Sequence, residues 1–176
     1  MRVTIGRSWR RKVAVGAAAG AVLASVVATA PPAAANNTVP DCSFYSVDMP
    51  HYSTRASGID AKTRYICQPG VTSMTWVQRL YLCVNPISAP DPNAPGCSAV
   101  DVNFGTEAPP AYGVPITRYV PGAPSTSSEP PTGAQGSGWW FQESGFLTDT
   151  NRVVRYADSV IYYCNTLSPS ACYQWS

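Results

Sequence analysis

The chain is poor in the residues that catalysis and metal binding usually require. Histidine occurs once, at His51, whereas nucleophilic hydrolysis needs a serine or cysteine beside a base, commonly histidine. His51 follows Met49-Pro50, no G-x-S-x-G is present, and the residue reads as a surface-loop histidine. There is no C-x-x-C pair either, so a zinc site lacks its ligand frame. Asp91-Pro92-Asn93 starts like a calcium loop, but no glutamate follows at the required place, and turn formation explains those residues. No metal and no cofactor is expected.

Clustered basic residues are also missing from the body of the chain. The formal net charge is +2, but Arg2, Arg7, Arg10, Arg11 and Lys12 lie in the first twelve residues. Without them the balance is 2 − 5 = −3. The remaining Arg55, Lys62, Arg64, Arg79, Arg118, Arg152 and Arg155 are spread singly. A nucleic-acid footprint needs a basic patch, so no nucleic-acid partner is expected.

What the N-terminus does have is an export pattern. Residues 1–35 combine the basic start with an Ala/Val-rich run over Val13–Ala30 and a small-residue site at Ala33-Ala34-Ala35. The run approaches bilayer-spanning length, yet Gly16, Gly20, Ser25 and Thr29 leave it weakly apolar. Cleavage after Ala35 is expected, with residues 36–176 forming a single secreted domain and no membrane contact after cleavage. Arg10-Arg11 is compatible with twin-arginine export as well as the general route.

Six cysteines, Cys42, Cys67, Cys83, Cys97, Cys164 and Cys172, all follow this segment. An even number in an exported chain implies three disulfides, for which fifteen pairings exist. Loop closure favours Cys83–Cys97 around Asn85–Gly96 and Cys164–Cys172 around 165–171, leaving Cys42–Cys67.

The longest β-like run is Val71–Val84. Met74, Trp76, Leu80, Leu82 and Val84 alternate on one face with Gln78 as the exception, a half-buried strand by its period of two. Ala61–Cys67 has a similar pattern, and Gln68-Pro69-Gly70 supplies a turn, so a hairpin over Ala61–Val84 is expected. Ser98–Phe104 should pair beside it, with Val100, Val102 and Phe104 on one face and Asp101 on the opposite, solvent side. Further strands are expected at Ser43–Val47, Trp139–Ser144, Val153–Tyr156, Val160–Asn165 and Tyr173–Trp175. Residues 105–138 hold seven prolines and six glycines. Proline removes backbone donors, so this stretch reads as a long Pro/Gly-rich loop carrying one edge strand at Ile116–Val120, its second half mobile. The sum is an all-β fold, an antiparallel β-sandwich or open barrel.

The signal pattern, Trp76…Leu80-x-x-Cys83…Cys97 and the Tyr163-Cys164…Cys172 ending together resemble small secreted β-proteins of actinobacteria. The match covers about residues 57–104 and 158–176. It implies export and a β-fold with cystine-closed hairpin loops, and it carries no activity or site residue.

Aromatics are the richest functional material. Tyrosine occurs ten times and tryptophan five, side chains suited to recognition surfaces and sugar stacking. Adjacent strand residues face opposite ways, so Trp139 and Trp140 are the candidate binding residues, one ring in the core and the other exposed. The expected function is non-catalytic binding of a protein or cell-wall glycan outside the cell. Two alternatives are a carboxylate-dependent glycoside hydrolase using Glu143 and a protease inhibitor presenting Asn85–Gly96.

Overall fold

The structure, a computed structural model, describes residues 39–122, 132–165 and 168–176. The expected signal segment, and the stretch 123–131 within the loop expected to be mobile, lie outside the described residues. The described residues form ten strands: β1 (Cys42–Val47), β2 (His51–Ser53), β3 (Gly58–Cys67), β4 (Met74–Cys83), β5 (Cys97–Glu107), β6 (Ile116–Val120), β7 (Gly138–Thr148), β8 (Arg155–Asp158), β9 (Tyr162–Cys164) and β10 (Cys172–Gln174). Among the described residues a 3₁₀ turn, Pro169–Ala171, precedes the last strand.

All strand pairs are antiparallel and form two sheets, not closed into a barrel. In the smaller sheet β3 is central. It pairs with β1 over 63–67, with β2 over 58–60 and with β6 over 61–65. In the larger sheet β4 lies between β5 and β7, and the far side of β7 takes β8 and β9, with β10 beyond β9. The chain is an all-β sandwich.

The disulfides are Cys42–Cys67, Cys83–Cys97 and Cys164–Cys172. Each joins residues that face each other directly across an antiparallel ladder. The sulfurs therefore clamp strand ends as well as closing loops. Each constraint contributes on the order of 2–4 kcal/mol.

The hairpin over Ala61–Val84 does not form. Strands β3 and β4 exist, but they belong to different sheets. Both long edges of β3 are occupied, by β1 and β6, and both edges of β4 by β5 and β7. Residues 68–73 carry the chain from one layer to the other, so that the apolar faces of the two strands meet across the sandwich. Tyr65 of β3 and Trp76 of β4 share one buried cluster with Met74, Ile116 and Phe146. A second cluster joins Ile59, Ala61 and Val120 to Leu80, Trp140 and Tyr162.

Between these clusters runs a polar belt, which explains Gln78. This buried amide donates to the Arg118 carbonyl at 3.1 Å, while Gln142 donates to the carbonyls of Asp48 and Lys62 at 2.6 and 2.8 Å. The hydroxyls of Thr63 and Ser144 meet at 2.6 Å. Buried polar groups are tolerable when partnered, and these bonds tie one sheet to the other, while Gln78 Oε1 is buried without a hydrogen-bond partner among the described residues.

Other expectations need correction. Trp139 begins a strand that runs to Thr148, because β7 pairs along the whole of β4. The following strands fall at 155–158 and 162–164, with Val153 and Val154 exposed outside them. The faces of β5 are the reverse of those expected. Val102 and Phe104 are 48% and 66% exposed, whereas Asp101 is half-buried and Asn103 buried. The inward face is set by Asn103, which donates to the Tyr119 carbonyl at 2.7 Å, and by Gly105, which leaves room for the Trp76 ring. His51 sits on β2 rather than in a loop, its Nε2 3.2 Å from Asp60 Oδ1.

Candidate functional site

Directly paired residues of neighbouring strands project on the same face, so the registers fix what the outer face of the larger sheet displays. One row runs Val102, Arg79, Glu143, Asp158 across β5, β4, β7 and β8. The adjacent row runs Phe104, Val77, Gly145, Tyr156. Rows on one face lie two residues apart, about 7 Å.

Arg79 Nη1 donates to Glu143 Oε1 at 2.5 Å. Burial lowers the guanidinium's proton affinity, but the hydrogen bond and charge of Glu143 outweigh it and hold Arg79 above its ordinary value. Asp158 is an exposed residue, but its carboxyl lies against the sheet and is pushed up, first by partial desolvation and then by the like charge of Glu143. Tyr81, one row further on, is also raised, by burial and then by Glu143. Two carboxylates, one guanidinium and a phenol thus share a small area of sheet.

Tyr156 is 56% exposed, yet its ring is not loose. A Cβ built on Gly145 would lie 2.6 and 2.8 Å from Tyr156 Cε1 and Cδ1. The ring therefore occupies the space that a side chain at 145 would fill. Glycine inside a strand often marks such a close approach. The result is an exposed aromatic surface seated on the sheet beside the charged row.

Beyond Tyr156 the face ends in a shallow cleft of about 380 Å³ lined by Ser73, Thr75, Leu147, Thr148, Asp149 and Arg152. Asp149 accepts hydrogen bonds from the Thr72 hydroxyl and from the amides of Thr72 and Ser73. The Thr72 hydroxyl bond is the main cause holding its carboxyl below the ordinary value.

At the opposite end, Trp139, Tyr163 and Tyr173 form one cross-strand row on β7, β9 and β10, with Trp175 against them. Trp139 is half-buried, its ring centroid 4.7 Å from that of Tyr163, and Tyr173 is the exposed member at 51%. Trp140 is fully buried on the inner face. It belongs to the core and takes no part in a surface contact, so only Trp139 of the predicted pair reaches the outer face.

The cystine loop 84–96 separates the two aromatic regions. Ile87 is buried against Tyr81, Phe141 and Ile161. Val84 N donates to Gly96 O, Asn85 Nδ2 to Pro95 O, and Ala94 N to Asp91 O. These bonds lie within the loop and brace it, Ile87 anchors it to the sheet, and most of its other residues are exposed.

The sequence points to Glu143 and leaves it without a partner, and it does not single out Asp158. The register of β7 with β8 brings them side by side. Tyr156 was missed. Its one sequence signal is Gly145, an isolated glycine in an aromatic strand. Among the described residues no group of three or more His, Cys, Asp or Glu side chains could hold a metal ion. Comparison of the chain with protein-family models, curated proteins and solved structures finds no match.

Proposed function

We propose that this chain is a secreted, non-catalytic β-sandwich that binds a cell-wall glycan through the outer face of its larger sheet. The observation that carries the reading is the exposed Tyr156 ring seated over Gly145, next to Arg79, Glu143 and Asp158. An aromatic ring presents an apolar surface to the C–H side of a sugar. Charged oxygens and guanidinium nitrogens beside it supply acceptors and donors for hydroxyls, and bonds to charged groups are the stronger kind. An open sheet face with this mixture fits a polymer passing over it. Three cystines are at home in an oxidising compartment, and with the N-terminal export pattern and the resemblance to secreted actinobacterial proteins they support a location outside the cell.

The test is co-sedimentation of the oxidised protein, residues 36–176, with purified cell wall and insoluble polysaccharides, beside Tyr156→Ala, Glu143→Gln and Trp139→Ala. Retention of the wild type and its loss in folded Tyr156→Ala are expected. Wild-type protein that stays in the supernatant with every matrix removes the proposal.

A second reading rests on Glu143 and Asp158. Side chains directly opposed across a ladder have Cβ atoms about 4.5–5.5 Å apart, which lets their carboxyl groups reach the separation of about 5–5.5 Å of a retaining pair, and the raised Asp158 would be the acid. Release of soluble sugars from the same matrices, abolished by Glu143→Gln and by Asp158→Asn, would favour that reading over binding alone.

A further inference from the structure

The edges of the two sheets are not equally protected. On β6 the carbonyls of Arg118 and Tyr119 accept hydrogen bonds from Gln78 and Asn103. Strands β1, β2, β8 and β10 are short, at six, three, four and three residues. Strand β5 has eleven residues and pairs only with β4 among the described residues. Its outer edge offers a row of backbone donors and acceptors without Lys, Arg or Pro, and the guards it does carry, the bulge opposite Leu80 and Tyr81 and the inward, half-buried Asp101, sit together toward its N-terminal end.

The same strand displays Val100, Val102 and Phe104 at 39%, 48% and 66% exposure. Its single irregularity, opposite Leu80 and Tyr81, confines the regular edge to residues 101–107. This segment is self-complementary if a second copy lies antiparallel to it about Asn103. Val102 then faces Phe104 of the other copy on the outer face, and Asp101 faces Gly105, so neither acidic residue meets another. A register about Phe104 would oppose Asp101 to Glu107, and one about Asp101 would oppose two aspartates. Like charges directly opposite destabilise a ladder, so charge disfavours those two registers; of the others, the one about Asn103 alone sets Val102 against Phe104 within the regular edge 101–107.

We infer that β5 is a homodimerisation edge: two copies join antiparallel through Asp101–Gly105 and continue the larger sheet across a two-fold axis. The partner is a second copy because the strand's own pattern of apolar, neutral and acidic residues complements itself. Phe104 and Val102 stand in the rows of Tyr156 and Arg79, so dimerisation would set two outer faces side by side and double any polymer-binding surface. The dimer does not depend on the glycan reading and is tested without glycan.

Sedimentation equilibrium of the oxidised protein, over about 1 µM to 1 mM, is the measurement. A reversible monomer–dimer equilibrium is expected. Phe104→Lys and Val102→Lys should each raise the dissociation constant by about tenfold or more, by placing a charge in the apolar contact. Tyr173→Lys, at the other end of the sheet, should leave it unchanged, and circular dichroism confirms that each variant is folded. A wild type that stays monomeric throughout the range overturns the inference. So does a dimer that is insensitive to both β5 substitutions or is broken by Tyr173→Lys.

Discussion

Replacing Gly145 with alanine tests the seat of Tyr156 while leaving every charged group in place. The added Cβ would fall 2.6 Å from Tyr156 Cε1, 2.8 Å from Cδ1 and 3.3 Å from Val77 Cγ1. Comfortable contact between carbons lies at about 3.5–4.0 Å, so the ring must retreat by roughly 1 Å, and Val77 by a few tenths. Both are free to move, because Tyr156 is mostly exposed and Val77 is only half-buried. Folding should change little. Alanine gains about 0.5–1 kcal/mol over glycine in a strand interior, and losing the cross-strand contact costs about 0.2–1 kcal/mol. The melting temperature should therefore stay within about 4 °C of wild type. Binding should change more. Aromatic stacking of about 1 kcal/mol, lost when the ring is displaced, weakens retention on cell wall about fivefold. Thermal unfolding and a retention isotherm read the two quantities separately. Undiminished retention would show that Tyr156 does not touch the ligand. A much larger fall in melting temperature would show that the space above Gly145 is not held by a yielding side chain.

Two further outcomes are expected. Trp140→Ala removes a fully buried ring and should cost about 3–5 kcal/mol of stability, against roughly half of that for half-buried Trp139→Ala; equal losses in denaturant titration would contradict the assignment of their faces. Asp158→Asn should stabilise at pH 7, because burial and Glu143 raise the folded-state carboxyl above its unfolded value. The native state then binds that proton more readily, so the ionised aspartate costs stability above the folded value and the cost disappears as pH falls through it. Wild type and variant should converge below about pH 4, and a gap of the same size at pH 7 and pH 3.5 would refute the linkage.

The site was harder to read than the elements. Glu143 stood out in the sequence because it follows Trp139-Trp140-Phe141, yet its chemistry depends on Arg79 and Asp158, which are neighbours only through β4 and β8. Tyr156 reads only as the end of an expected strand, and the isolated Gly145 is the one hint that its ring has a seat. Trp139 and Trp140 were correctly expected to face opposite ways, but which of them is buried follows from the inner face of β4, where Leu82 pairs with Trp140.

The amino-acid sequence by itself determined that this chain is all-β and cystine-clamped, and it marked most of its strands. The period of two places Met74, Trp76, Leu80 and Leu82 on one face, and three cysteine pairs separated by turn-forming loops leave few sensible partners. These are local properties, legible one segment at a time. Only the tertiary structure decided that β3 and β4 stack across the sandwich instead of pairing edge to edge, since that depends on Cys42 and Ile116 bringing other strands to both sides of β3. It likewise turned Val102 and Phe104 outward, because Asn103 finds a carbonyl on β6 and Gly105 makes room for Trp76. Alternation says that two faces differ, and long-range partners decide which one is buried.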